Sequence, residues 1–144
     1  MQLKNSWPLP SLTKPIAIIG AGGIVNDAHM PAYRKANFEV LGLYDIDRKK
    51  VLHTAKKWGL KSYSSLDDLI SDSEANQAIF DLATPPSAIQ GILKKIPVGS
   101  TVLIQKPMGE EEWTIQQESL KRLNSILLDG SVQQSKVIGH QPYA

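Results

Sequence analysis

The stretch that decides the fold is Ile16-Ala17-Ile18-Ile19-Gly20-Ala21-Gly22-Gly23-Ile24-Val25, IAIIGAGGIV. Four apolar residues in a row show no alternation, so neither face of the strand they form can be left to water. That is the pattern of a strand in a parallel sheet covered on both sides. The run stops at a glycine cluster. Gly20 permits a tight turn, and Gly22 lets the backbone approach whatever lies above it. A helix then extends to about Asn37, broken or bent at Pro31, which has no N–H to give. The first N–H groups of such a helix have no partner within it and suit an anion.

The pattern repeats on the C-terminal side. Residues 38–44 (FEVLGLY) read as a second strand, closed by Asp45. Residues 47–58 carry Val51, Leu52, Ala55 and Trp58 on one helical face, with Gly59 as a stop signal. A short helix over 65–71 starts on a serine, and residues 77–83 (QAIFDLA) form a third strand. Ile89, Ile92, Leu93 and Ile96 have the spacing of a buried helical face. Residues 101–105 (TVLIQ) form a fourth strand, and Glu110-Glu111-Glu112 opens a long helix with Trp113, Leu120, Leu123 and Leu127 facing inward. A last strand is expected within 132–139. Residues 1–14, interrupted by Pro8 and Pro10 and followed by Pro15, form an irregular leader, with Trp7 available to pin it.

Apolar strands alternating with amphipathic helices predict right-handed crossovers. The fold class is therefore α/β: a doubly wound parallel sheet of Rossmann type, in a single domain over 15–139 with a tail at 140–144. Ligands of such sheets bind at the carboxyl ends of the strands. The unusual residues of this chain fall at those ends: Gly20-Ala21-Gly22, Asp45, Thr84-Pro85-Pro86 and Gln105-Lys106-Pro107.

Composition narrows the function. The 144 residues are 42% hydrophobic, enough for one ordinary core. There is no cysteine, which excludes disulfides and thiolate chemistry. His29, His53 and His140 lie far apart, in no metal-ligand spacing. The formal charge is +2, and the pairs Lys49-Lys50, Lys56-Lys57 and Lys94-Lys95 are dispersed as on solvated helix faces, so no nucleic-acid partner is expected. No apolar run reaches the roughly 18 residues of a membrane span, and the start has no secretory h-region. A cytoplasmic protein with no membrane partner is expected.

The glycine turn and the acid on the second strand together point to a dinucleotide. Gly20, Gly22, Gly23 and Ile24 would hold the pyrophosphate at the helix N-terminus. Val25 stands where the fingerprint has Gly or Ala, and its bulk should push the helix outward. Asp45 is placed to accept from both ribose hydroxyls of NAD and to repel a 2′-phosphate, with Arg48 and Lys49 able to soften that repulsion; NAD is favoured over NADP. Alternatively Asp45 caps the next helix, although Asp47 could serve there. Thr84, Pro85 and Pro86 would wall the nicotinamide half, or Pro86 simply starts a helix. His29 reads as a partly buried histidine beside the phosphate-binding helix rather than a catalytic one, and His53 as a surface residue.

GAGGI with HMPAY, then YDID, ATPPS and QKPMG, in that order, resembles the N-terminal half of the Gfo/Idh/MocA oxidoreductases over about residues 15–128. The resemblance implies an NAD(P)-dependent dehydrogenase acting on a sugar- or polyol-like hydroxyl. It gives Lys106 the role of the family's lysine beside nicotinamide and substrate, assisting proton transfer. Gln105 stands where the family has glutamate, and Ile89 where many members carry a histidine. Members continue into a second domain that supplies most of the substrate pocket; GHQPY at the end resembles the segment leading into it. A truncated chain, inactive or nearly so alone, is expected. The alternatives are a non-catalytic NAD-binding or regulatory module docking a separate chain that carries the substrate domain, or a domain that self-associates.

Overall fold

A computed structural model describes residues 10–105 and 124–128. Five strands, β1 (Ile16–Ile19), β2 (Val40–Tyr44), β3 (Ile79–Leu82), β4 (Thr101–Gln105) and β5 (Asn124–Leu128), form one sheet in the order β2-β1-β3-β4-β5. Every pairing is parallel. The expected doubly wound α/β sheet is present, and the order reverses between β2 and β3, on either side of β1. That reversal opens a crevice at the carboxyl end of β1, where ligands of open α/β sheets bind.

The strands are buried because helices cover both faces. Ile16 and Ile18 of β1 point into one layer with Val25, Met30, Leu43, Val51 and Ala55. Ala17 and Ile19 point into the other, with Phe80, Leu82, Ile89, Leu93, Val102 and Ile104. The period of two along each strand sends alternate residues to opposite layers. The helices are α1 (Met30–Lys35), α2 (Arg48–Trp58), α3 (Leu66–Ala75) and α4 (Pro86–Lys95). Asp47 caps α2, its carboxylate accepting from the N–H groups of Lys49 and Lys50, and Gly59 ends it in the left-handed conformation. Ser65 caps α3 in the same way by accepting from Asp68 N–H.

Four local readings change. The second strand starts at Val40, not Phe38. Asn37 adopts φ +58°, and the Phe38 N–H donates back to the Tyr33 carbonyl at 2.9 Å, so Phe38 closes the preceding helix. The helix opened by Ser65 runs on to Ala75. On α2, Val51 and Ala55 are buried while Leu52 is exposed. Leu127, expected on a helix face, lies in β5 opposite Ile104 of β4. A run as short as Ile126-Leu127-Leu128 does not distinguish strand from helix by periodicity, and pairing with β4 decides it. The remainder of the helix from Glu110, the strand expected within 132–139, residues 1–9 of the leader and the tail at 140–144 fall outside the described residues.

Candidate functional site

Leaving β1, the chain turns at Gly20, whose φ is +120°. A Cβ there would stand 2.3 Å from the Ala83 carbonyl oxygen of the strand alongside, so only glycine fits. Gly22 differs: nothing lies within 4 Å of where its Cβ would be. The space above Gly22 is open, as close approach by a pyrophosphate requires.

The turn is held from two sides. Asp45, at the carboxyl end of β2, accepts the Ala21 N–H on Oδ2 at 2.8 Å and the Asp47 N–H on Oδ1 at 2.8 Å. Asp45 therefore anchors the glycine turn, while Asp47 does the helix capping. Each Asp45 oxygen keeps acceptor capacity for a further donor. From α2, Thr54 donates to the Ala21 carbonyl, and the Asn26 amide donates to the Gly22 carbonyl and to Thr54 Oγ1, both at 3.0 Å. Trp58 Nε1–H in turn donates to Asn26 Oδ1 at 2.9 Å. This clamp was not read from the sequence, because the bonds that Thr54 and Trp58 make to Ala21 and Asn26 join residues 28 to 33 positions apart.

Val25 is wholly buried at the start of a π-helical turn. Residues Val25–His29 form a π-helical turn that passes into α1, Met30 N–H reaching the Val25 carbonyl. The wider turn lets Val25 sink completely into the core. Pro31 follows the π turn by two residues, inside a helical stretch that runs unbroken from 23 to 35.

A cleft of about 560 Å³ opens at the crevice. Gly20 and Gly22 form its floor, Asp45, Ile46 and Lys50 one wall, and Ala83, Thr84, Pro85 and Ala88 the other. Of the residues expected to meet a dinucleotide, Gly20, Gly22, Asp45, Thr84 and Pro85 thus come together. Gly23, Ile24 and Pro86 do not line this cleft. Gly23 instead borders a second, shallower depression with Gly22, Lys49, Lys50 and His53, which surrounds the outer side of the turn with basic side chains. Pro86 is the first residue of α4. The Thr84 hydroxyl is buried without a hydrogen-bond partner among the described residues, an unmet donor beside the cleft. Open space above Gly22 and spare acceptors on Asp45 fit a dinucleotide. Among the described residues no group of three metal-binding side chains occurs, and no helix is long and apolar enough to cross a membrane. Lys106 lies just beyond the described residues.

The sequence model of the oxidoreductase family with an NAD-binding Rossmann fold, GFO_IDH_MocA, matches residues 14–129. This chain belongs to that family. It is 35% identical over 119 residues to glucose-6-phosphate 3-dehydrogenase of Bacillus subtilis, covering 77% of this chain and 31% of that protein. It is 33% identical over 82 residues to the redox-sensing transcriptional repressor Rex of Thermosipho africanus, covering 56% of this chain and 39% of the repressor. Among solved structures, the WlbA dehydrogenase from Chromobacterium violaceum, in complex with NADH and UDP-GlcNAcA, superposes with a TM-score of 0.62 at 24% identity over 85% of this chain and 37% of that one. The chain spans about a third of the length of the relatives it matches.

One polar cluster escaped the sequence reading. Asp81 interrupts the apolar run of β3 and is fully buried. Its Oδ2 lies 2.8 Å from His29 Nδ1 and accepts the Tyr33 hydroxyl at 2.7 Å, while His29 Nε2 lies 3.2 Å from Gln105 Oε1. The hydrogen bond to Asp81 raises the His29 pKa above its ordinary value; burial opposes this but does not overcome it. Burial pushes the Tyr33 phenol well up, and the Asp81 charge adds to that, so the hydroxyl keeps its proton. An acid alone in an apolar strand was the available signal.

Proposed function

We propose that this chain is the cofactor-binding part of a dehydrogenase that oxidises a hydroxyl of a sugar or polyol, with NAD as cofactor and Lys106 as the proton-handling residue. The observation that carries the reading is the cleft built from three strand ends, with open space over Gly22 between Asp45 and Thr84. The Asp45 carboxylate, already oriented by two N–H groups, suits ribose hydroxyls and repels a 2′-phosphate, which favours NAD over NADP. Bound NAD would supply the hydride acceptor. The domain runs over 15–139 in this reading, and Gly23 and Ile24 contribute N–H groups of the first helical turn to the phosphates. Pro85 and Pro86 stiffen the loop beside Thr84. Sugar-type substrates are supported by the B. subtilis relative and by the UDP-sugar complex of WlbA.

Lys106 follows directly in sequence on β4, which ends at Gln105. As a free amine it would take the proton of the reacting hydroxyl as the hydride leaves the same carbon. Most substrate contacts would come from a further domain, in the same or a separate chain. The 144-residue chain should therefore bind NADH and turn over polyols poorly. Titration followed by NADH fluorescence tests this, and no binding at millimolar cofactor would sink it. Lys106→Ala should bind NADH as well as the parent while abolishing any turnover with the substrate domain present.

A second reading is a non-catalytic NAD-sensing module. Gln105 engages His29 rather than offering a charge to the site, Ile89 is wholly within the core, and the match to Rex covers part of the same region. Lys106→Ala separates the two, since a sensing module would keep its full behaviour.

A further inference from the structure

None of His29, Tyr33, Asp81 and Gln105 lines the cleft, yet their cluster links β3, which ends beside it, to β4. A buried carboxylate in the middle of a strand costs several kcal/mol unless it is paired, and an apolar residue would serve the sheet better. Asp81 occupies such a position with 0% exposure. Its Oδ1 has no partner among the described residues, so compensation rests on what Oδ2 meets.

The donors and acceptors around the imidazole fix its state. Asp81 Oδ2 already accepts the Tyr33 proton, so His29 Nδ1 must donate to it. Gln105 lies with Oε1 3.2 Å from Nε2, an arrangement in which Nε2 donates. In that arrangement both ring nitrogens carry hydrogen, and the hydrogen bond to Asp81, which raises the His29 pKa, favours the imidazolium. Among the described residues, the groups against the ring are Asp81 from β3, Tyr33 from α1, edge-on with centroids 6.2 Å apart, and Gln105 from β4. Asp81 is the one charged group of the three.

The bridge also has a place in the sheet. Backbone pairing between β3 and β4 runs through Phe80↔Val102, Asp81↔Leu103 and Leu82↔Ile104. Gln105 is the first residue past that ladder. On its β3 side the end of β4 is therefore joined by side chains one residue beyond the last backbone pair, while on its other side Gln105 still pairs with Leu128 of β5.

We propose that His29 is a positioning residue, held as the imidazolium between Asp81 and Gln105, and that this bridge sets the end of β4 from which Lys106 is presented. The proposal builds on the reading of Lys106 given above, but its first test needs neither cofactor nor substrate. The 144-residue chain, labelled with nitrogen-15, is titrated by NMR from pH 5 to 9. At pH 7 both His29 ring nitrogens should be protonated, and the His29 midpoint should lie above the ordinary histidine value and fall in Asp81→Asn. The Lys106 backbone amide should follow the His29 titration curve in the parent. In Gln105→Ala, which removes only the bridge, His29 should still titrate while the Lys106 amide no longer follows it. A single-protonated His29 ring at pH 7 would overturn the proposal, and so would a Lys106 amide that stays flat through the His29 titration. Failure to bind NADH would refute the cofactor reading and leave these results intact.

Discussion

Gly20 and Gly22 stand two residues apart in one turn, and replacing each with alanine should do opposite things. At Gly20 a methyl group would lie 2.3 Å from the Ala83 carbonyl oxygen, on a backbone at φ +120°. Holding a side chain in so sparsely populated a region costs about 1–3 kcal/mol. Forcing aside a strand carbonyl adds an overpacking cost of about 1–3 kcal/mol. A chain of this size has a total stability of roughly 7–20 kcal/mol at about 0.05–0.15 kcal/mol per residue. Gly20→Ala should therefore lower the unfolding free energy by about 4 kcal/mol, read as a clear drop in the urea midpoint at unchanged slope. At Gly22 the same methyl meets nothing within 4 Å. Stability should stay within about 0.5 kcal/mol of the parent. The space it fills is the space proposed for the pyrophosphate, so an overlap of about 1–3 kcal/mol should appear as about 5- to 150-fold weaker NADH binding. Urea unfolding and fluorescence titration of the two variants side by side make the test. Gly22→Ala binding NADH with parental affinity would refute the placement of the pyrophosphate, and a Gly20→Ala chain as stable as the parent would refute the steric argument for the turn.

Asp45→Ala removes the acceptor for the Ala21 N–H and the repulsion toward a 2′-phosphate. NADH affinity should fall about 10- to 150-fold, in line with loss of a charged hydrogen bond of about 1.5–3 kcal/mol, and the preference for NADH over NADPH should shrink. An unchanged cofactor ratio would remove Asp45 from the ribose site. The pH dependence of stability offers a separate check. His29 has a folded-state pKa raised above 6.5 by Asp81, so its stabilisation is complete below about 6.5 and is lost as pH rises through the folded-state value. Unfolding free energy should decline across that range in the parent. His29→Gln should lose that part of the slope; an identical slope in both proteins would place the titration elsewhere.

Much of the fold was legible because the pattern was local. IAIIGAGG states a strand covered on both faces and a turn that only glycine can make, and α2 announces both its ends through Asp47 and Gly59. Where local cues were short, the reading slipped. Phe38 carried strand character but was taken by the end of the preceding helix, and Leu127 belonged to a strand whose partner lies more than twenty residues earlier. Val25 departed from the dinucleotide fingerprint, and nothing nearby in sequence showed that a π turn would absorb it.

The sequence by itself determined the order of elements as far as β4, the family and the residues at the strand ends, because apolar periodicity, caps and glycine turns act over a few residues. The tertiary structure decided what those residues do to one another. Asp45 reaches back 24 positions to steady the glycine turn, and Asp81 meets His29 across 52 positions and Gln105 meets it across 76. Such pairs follow from the crossover of the strands, which brings distant carboxyl ends to one edge. A buried carboxylate is tolerable only where that edge supplies its partner.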